Sequence, residues 1–229
     1  LAVDPKDTRW PLIELAKQAG DANGDGARLQ DLLRQREDRQ ALNERLLEPG
    51  QSWFLWAGAL ASLLPRLKVA DFGCGTGVLS MAIARWAEKV VAIDQSASAL
   101  DGAKERARRE GVKNVTFLRE DLHALSLPAG KLDLVVLSQS LHHVESPPAV
   151  LREAARILKP SGKVVVLELM PHEEKWVVER LGHRHLGFDP EALQQEMKQA
   201  GFSAIACETH ARDQASPFRV FLLTGEKTR

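Results

Sequence analysis

Three alternating glycines after a short apolar run constrain this chain most. Gly73, Gly75 and Gly77 come just after residues 68–71, whose composition predicts a buried strand, and an apolar stretch typical of a helix comes next. Glycines lack β-carbons, so backbone N–H groups and the helix N-terminus can approach a ligand closely. The loop therefore predicts a site for a nucleotide-like ligand. An ordinary tight strand-to-helix turn is the alternative interpretation.

From residue 68 onward, short β-branched runs alternate with longer helical stretches. The predicted strands are 68–71, 90–94, 115–119, 132–138, 162–170, 204–209 and 219–224, and the predicted helices are 78–87, 96–109, 148–158 and 190–200. This alternation is typical of an α/β fold with a doubly wound, mostly parallel sheet of seven strands and helices on both faces. The last two strands have no helix between them, which predicts a terminal antiparallel hairpin.

The sequence predicts a division of the chain after residue 48. Residues 1–48 read as a helical arm or linker, because residues 34–40 are polar on every face, and residues 49–229 read as the main domain. A helix over 52–64 carries Trp53 and Trp56, which either cover a ligand pocket or anchor the helix to the core. We also expect homodimer contacts through the N-terminal helices.

The charge balance excludes some classes of partner. Lys plus Arg and Asp plus Glu are both 31, so no global field attracts nucleic acid or an anionic membrane.

The apolar runs are far shorter than the roughly 20 residues that span a bilayer. Cys74 and Cys207 match no metal spacing and no disulfide framework. These features predict a cytoplasmic protein.

Acidic residues follow the next two predicted strands. Asp94 ends the second strand, about 20 residues beyond the glycine loop, where a carboxylate can accept hydrogen bonds from ribose hydroxyls. Asp121 follows the third strand, where a helix N-cap is the alternative interpretation. The dinucleotide fingerprint G-x-G-x-x-G fails, because Val78 stands where its third glycine belongs.

Four segments in order resemble motifs of class I S-adenosylmethionine (SAM)-dependent methyltransferases. They are the D-x-G-x-G-x-G loop from Asp71 to Gly77, residues 119–122 (Arg-Glu-Asp-Leu), residues 132–144 and residues 157–163. The resemblance covers roughly residues 50–225, and in its motifs the chain resembles the ubiquinone and menaquinone biosynthesis group. It implies a Rossmann-like methyltransferase fold, SAM as cofactor, and a small-molecule methyl acceptor.

The resemblance also implies which residues hold the cofactor. They are Asp71, Gly73, Cys74, Gly75, Gly77, Asp94, Gln95, Asp121, Leu122 and Ser138. In this assignment the aspartate of residues 119–122 accepts from the adenine amino group, and the following backbone N–H meets a ring nitrogen. We interpret Cys74 as a small filler of the loop and not as a nucleophile.

Histidines supply the candidates for chemistry on the acceptor. His142 and His143 follow the fourth predicted strand at the ligand-binding edge, and we expect at least one to act on the substrate side, for example as a base. Packing against the next helix is the alternative. His172, His183 and His185 share one insert, but no cysteine or carboxylate follows at a familiar ligand spacing, so we expect a solvated lid and no metal. Residues 21–26 mimic half a calcium loop but lack its final glutamate.

A second hypothesis makes the domain a SAM-binding effector instead of an enzyme. Residues 28–53 resemble the linker of proteins that fuse an ArsR-type winged-helix repressor to a methyltransferase domain. The first residue is Leu1, so in this hypothesis the DNA-binding part lies upstream. The chain itself carries no recognition helix and no basic stripe, which predicts no direct binding to nucleic acid.

Overall fold

The computed structural model describes residue 63, residues 65–209 and residues 218–228. Its strands are β1 (Lys68–Phe72), β2 (Lys89–Asp94), β3 (Val115–Arg119), β4 (Leu132–Ser138), β5 (Leu158–Leu169), β6 (Phe202–Thr209) and β7 (Val220–Lys227). Its helices are α1 (Val78–Ala84), α2 (Ala97–Glu110), α3 (Pro147–Ile157), α4 (Trp176–Leu181) and α5 (Pro190–Gln199), and a short 3₁₀ turn spans Leu141–His143. Every predicted strand and helix in this range is present, and α4 is an element that the sequence did not predict.

The seven strands form one sheet in the order β3-β2-β1-β4-β5-β7-β6. The pairs β1/β2, β1/β4, β2/β3 and β4/β5 are parallel, and β7 pairs antiparallel with both β5 and β6. The predicted fold class, a mostly parallel seven-stranded sheet that ends in an antiparallel hairpin, is therefore confirmed.

The sequence of β1 explains why it lies at the centre of the sheet. Val69, Ala70 and Phe72 are fully buried, as expected for a parallel strand with both faces covered by helices. Phe72 is aligned with Ile93 of β2 on one side and with Leu137 of β4 on the other. The carboxyl ends of these three strands therefore meet at one edge of the sheet.

This edge is also where the strand order reverses. The chain passes from β1 outward to β2 and β3, then returns to place β4 on the other side of β1. Crevices at such switch points, beyond the carboxyl ends of the strands, are where ligands of open α/β sheets bind. The fold thus predicts a ligand site between the loops that follow β1, β2 and β4.

The helix α2, which follows β2, has well-defined termini. The Ser96 hydroxyl caps α2 by accepting a hydrogen bond from the Ala99 backbone N–H. Gly111 ends the same helix in the left-handed conformation. On the other face of the sheet, α3 buries Val150, Leu151 and Ala154 against the core.

Several predictions lie outside the described residues. These are the arm over 1–48, the boundary at residue 49, the helix over 52–64 with Trp53 and Trp56, the N-terminal dimer contacts and the calcium-like segment 21–26. Within the described ranges, no helix is both long enough and apolar enough to cross a membrane.

Candidate functional site

A cavity of about 450 Å³ lies at the carboxyl edge of β1, β2 and β4. Its lining residues are Gly73, Gly75, Asp94, Gln95, Ser96, Leu122, Gln139, Ser140, His143 and Val144. Six of these were predicted as site residues from the sequence: Gly73, Gly75, Asp94, Gln95, Leu122 and His143. The glycine loop, the end of β2 and the end of β4 therefore converge on one cavity.

The glycine loop is tied to the end of β2 by backbone hydrogen bonds. The N–H groups of Gly73 and Cys74 both donate to the Ile93 carbonyl, at 2.8 and 2.9 Å. The Gly77 N–H then donates to the Cys74 carbonyl at 2.9 Å, which closes the turn into α1. These bonds hold the loop in place before any ligand binds.

The Asp94 carboxylate is oriented by two backbone donors. Its Oδ2 accepts from the Gly75 N–H at 2.9 Å, and its Oδ1 accepts from the Ser96 N–H at 2.8 Å. An ionised carboxylate offers about four acceptor sites, so each oxygen keeps capacity for a further donor. Because Asp94 lines the cavity, that capacity is available to a ligand with two neighbouring hydroxyl groups.

The loops after β1 and β4 approach each other closely at Gly73. Gly73 has φ +72°, and a β-carbon built on it would lie 2.7 Å from the Ser140 Cβ. Ser140 is buried, and its Oγ has no hydrogen-bond partner among the described residues. The preceding Gln139 adopts φ 52°, a left-handed conformation that non-glycine residues rarely take and that is typical of functional sites. The β4 loop therefore carries an unsatisfied donor and a strained backbone beside the cavity.

Gln139, Ser140 and Ser96 are lining residues that the sequence did not single out. The signal for them was positional, since each stands just after the carboxyl end of a predicted strand at the ligand-binding edge. The predicted residues Asp71, Cys74, Gly77, Asp121, Ser138 and His142 stay outside the lining. Ser138 is the last residue of β4, and Gly77 precedes α1 and packs against Ala103 of α2.

Asp71 lies beneath the glycine loop. Its carboxylate is almost fully buried and accepts a hydrogen bond from the Ser80 hydroxyl of α1, which fixes the strand to the helix. Burial, and to a smaller extent the nearby charge of Asp94, raises the pKa of Asp71 to about 6, although the Ser80 hydrogen bond acts in the opposite direction. At neutral pH Asp71 is therefore mostly ionised, and the buried charge lowers the stability of the folded chain.

Replacing Asp71 by asparagine is expected to change how stability depends on pH. The pKa is about 6 in the folded chain against an ordinary 3.8, so the wild type loses stability as the pH rises from about 4 through 6. The free energy of unfolding of Asp71→Asn, relative to wild type, should rise by roughly 2 kcal/mol between pH 4 and pH 7. Urea denaturation at both pH values measures it. The exposed control Asp101→Asn should show no such rise, and a constant difference for Asp71→Asn would contradict the buried-carboxyl account.

Cys74 is a buried thiol. Burial, followed by the charges of Asp71 and Asp94, raises the pKa of Cys74 to about 12, so almost none of it is thiolate at neutral pH. This agrees with its interpretation as a filler. Cys207, by contrast, is exposed on β6.

Thiol labelling is expected to separate the two cysteines. With a disulfide reagent at pH 8, one thiol per chain should react quickly, and the Cys207→Ser variant should lose this phase. The Cys74→Ser variant should keep it, because reaction at Cys74 is at least about 100-fold slower when only about one thiol in ten thousand is ionised. A fast phase that disappears in Cys74→Ser would show that the loop thiol is activated.

Asp121 forms a turn of its own instead of capping a helix. Its Oδ1 accepts from the His123 N–H at 2.9 Å and also contacts the His123 ring, and these bonds lower the pKa of Asp121. No helix begins here, so the N-cap interpretation is wrong and an aspartate turn takes its place. The next residue, Leu122, is buried and lines the cavity. The adenine role of Asp121 stays a prediction.

His142 and His143 occupy different environments although they are neighbours. His142 is buried, and its Nδ1 lies 2.8 Å from the Glu168 Oε2 of β5. His143 lines the cavity, and burial together with repulsion from His142 lowers its pKa. At neutral pH His143 is therefore an uncharged imidazole that can accept a proton.

Glu168 is a functional residue that sequence reasoning missed. It is fully buried, and besides contacting His142 it accepts from the Leu141 N–H at 2.7 Å. It thereby fixes both the backbone and the first ring of the 3₁₀ turn. A carboxylate within the apolar run of β5 was the available signal, since buried charges are rare unless they have a partner.

The insert after β5 does not form the expected solvated lid at His183. His183 follows α4 and is buried, with its ring centroid 4.2 Å from that of His142 and 4.9 Å from that of His143. The N–H groups of Arg184 and His185 both donate to the His142 carbonyl, at 2.8 and 3.2 Å. The insert is thus hydrogen-bonded to the 3₁₀ turn. His183 packs against His142 and His143, whereas the sequence analysis grouped it with His172 and His185.

A larger cavity of about 770 Å³ lies at the opposite edge of the sheet. It is lined by residues at the amino ends of the strands, such as Leu67 and Asp133, and by none of the glycine-loop or histidine residues. Ligands of open α/β sheets bind at carboxyl ends, so the smaller cavity is the candidate site.

Comparison with known proteins finds a family match over part of the chain. Residues 70–166 match the family model described as a methyltransferase domain. A ubiquinone biosynthesis O-methyltransferase of Erwinia tasmaniensis is 32% identical over 133 residues, which is 57% of this chain and 54% of that protein. The chain thus spans about half the length of the curated relatives it matches.

Solved structures share the fold at low sequence identity. A SAM-dependent methyltransferase from Aquifex aeolicus aligns with a TM-score of 0.61 and 18% identity, over 76% of this chain and 89% of that one. Phosphoethanolamine N-methyltransferase 2 of Haemonchus contortus, solved in complex with SAM, aligns with a TM-score of 0.65 and 18% identity, over 79% and 53% of the two chains. The predicted resemblance to class I methyltransferases is confirmed by the family match together with this fold.

Proposed function

We propose that this chain, which carries a methyltransferase domain of the class I SAM-dependent family, transfers a methyl group from SAM to a small-molecule acceptor. SAM is the cofactor of this family. The observation that carries the proposal is the cavity at the glycine loop. In it, the Asp94 carboxylate is held in place by two backbone N–H groups, one of which belongs to the loop.

The cavity residues suit SAM in their chemistry. Asp94 has free acceptor capacity for the two hydroxyl groups of a ribose. Beside it, an added β-carbon at Gly75 would meet no atom within 4 Å, so the space next to the carboxylate is open. The buried Ser140 Oγ has no partner among the described residues and is a donor that a polar ligand would satisfy.

The residues around the cavity mainly have to align the acceptor. Bound SAM supplies an already electrophilic methyl group on a cationic sulfur. Holding a nucleophile in line with such a group can contribute on the order of 7 to 11 kcal/mol. His143, uncharged at neutral pH and at the cavity wall, can take a proton from a hydroxyl acceptor, while Glu168 and His142 keep the 3₁₀ turn in position.

A hydroxyl group on a small molecule is the acceptor class that we favour. The matched relatives are O-methyltransferases, and a neutral imidazole beside the cavity suits an acceptor that loses a proton. The chain has balanced charge, with 31 basic and 31 acidic residues, which gives no support for a nucleic acid substrate.

The experiment is to measure S-adenosylhomocysteine formed from SAM with a catechol such as 3,4-dihydroxybenzoate, and with matched thiols and amines. We expect product that depends on the hydroxylated acceptor. Product with thiols or amines alone would contradict the hydroxyl assignment. Saturating SAM binding without turnover of any acceptor would contradict the enzyme proposal and favour the effector hypothesis.

A further inference from the structure

Three imidazole rings form a cluster beside the cavity. His142 and His143 come from the 3₁₀ turn after β4, and His183 comes from the segment after α4, 40 residues further along the chain. One ring nitrogen of each lies within 4.8 Å of the ring nitrogens offered by the other two. Three candidate nitrogen ligands from two separate segments thus lie close together.

Each ring has a nitrogen without a hydrogen-bond partner among the described residues. The Nδ1 of His142 contacts Glu168 at 2.8 Å, and the Nδ1 of His143 lies 3.4 Å from the Gly182 carbonyl, which leaves the Nε2 atom of each ring for a ligand. His183 is only 7% exposed, and its Nδ1 has no hydrogen-bond partner among the described residues. Such a buried, unsatisfied nitrogen is costly unless something binds it.

Glu168 gives the cluster the support typical of a metal site. Metal-bound histidines usually donate their second ring N–H to a carboxylate, which fixes the ring and increases its basicity. The Glu168–His142 contact has this arrangement, and Glu168 is fully buried.

We propose that His142, His143 and His183 bind a divalent transition metal ion, with zinc as the representative case. Three imidazoles leave one coordination position open, as in catalytic zinc sites. On a tetrahedral zinc the three nitrogens would be about 3.4 Å apart, so binding draws the rings slightly closer than the present 4.8 Å limit. This assignment replaces the expectation of no metal, which rested on a different trio, His172, His183 and His185.

The open position gives the ion a role at the acceptor. Because His143 also lines the 450 Å³ cavity, an ion on the cluster lies beside the space where the acceptor is expected. There it would bind an acceptor oxygen and favour release of its proton to solvent, in place of the base role of His143, whose Nε2 atom the ion would occupy. This role rests on the proposed function, whereas metal binding itself does not.

The test is calorimetric titration of the chelator-stripped full chain with zinc. We expect one zinc per chain, and the variant His183→Asn should lower its affinity at least about 100-fold, more than the loss of a supporting residue causes. The matched control His185→Gln should keep wild-type affinity, because His185 lies in the same insert but its Nε2 contacts the Val144 carbonyl. Cobalt in place of zinc should give tetrahedral visible absorption that His183→Asn abolishes.

Two further measurements separate a failed metal site from other failures. Glu168→Gln should lower zinc affinity about 10- to 100-fold, with circular dichroism confirming the fold. SAM affinity of His183→Asn should stay near the wild-type value, since His183 is not a lining residue of the cavity. The metal proposal would be overturned if the wild type bound no zinc, or if folded His183→Asn bound zinc with unchanged affinity. Neither result would contradict the proposed binding of SAM.

Discussion

Replacing Asp94 by alanine is expected to weaken SAM binding about 10- to 150-fold, which corresponds to roughly 1.5 to 3 kcal/mol for hydrogen bonds to a charged acceptor. The variant removes the carboxylate proposed to accept the ribose hydroxyls. It also removes the acceptor that holds the Gly75 and Ser96 N–H groups. Calorimetric titration with SAM measures the change.

Asp101 provides the matched control for this experiment. It belongs to α2, which begins just after Asp94, but its side chain is 74% exposed and contacts Lys104. The Asp101→Ala variant should therefore bind SAM like the wild type. If Asp94→Ala also binds SAM with unchanged affinity, the ribose assignment is wrong.

Replacing Gly73 by alanine is expected to lower the free energy of unfolding by about 2 to 4 kcal/mol. Part of this loss, about 1 to 2 kcal/mol, arises because residue 73 has a left-handed backbone conformation, φ +72°, that disfavours any residue with a β-carbon. The rest comes from overpacking, because the new β-carbon would lie 2.7 Å from the Ser140 Cβ. A β-carbon cannot rotate away, so the loops after β1 and β4 would have to separate. Urea denaturation measures the loss.

The Gly75→Ala variant separates the conformational contribution from the overpacking contribution. It also has a positive φ, +52°, but an added β-carbon there meets no atom within 4 Å. Gly75→Ala should therefore lose only the conformational part, about 1 to 2 kcal/mol. Equal losses in the two variants would show that the contact between Gly73 and Ser140 does not limit the packing of this edge.

The order of strands and helices could be predicted from the sequence because each element carries its own periodic signal. The strands β3 and β4 have the predicted bounds, and the other elements differ by a few residues at their ends. The helix α4 was missed because it is short and follows a polar segment. Its position depends on packing, since Val177 is fully buried while its neighbours Trp176 and Val178 are exposed.

The candidate site could be predicted only where its residues are close in sequence to a strand end. Gly73 follows β1 directly, Asp94 is the last residue of β2, and His143 lies in the turn after β4, so the carboxyl-edge rule locates all three. The contact between Glu168 and His142, and the approach of His183, depend on how the segment after β5 folds back onto the 3₁₀ turn. No local pattern encodes that contact, which is why the sequence grouped His183 with His172 and His185 instead.

The hypothesis of a SAM-binding effector for an upstream DNA-binding part stays a prediction. The segment that suggested it, residues 28–53, lies outside the described residues. A SAM site alone is compatible with either role, so turnover of an acceptor is what distinguishes them.

The most direct test of the central claim is calorimetry of the full chain with SAM, S-adenosylhomocysteine and NAD. The fixed Asp94 carboxylate and a glycine loop without the third dinucleotide glycine predict binding of SAM and S-adenosylhomocysteine, and no measurable binding of NAD. Tight binding of NAD, with no heat change for either SAM compound, would contradict the account.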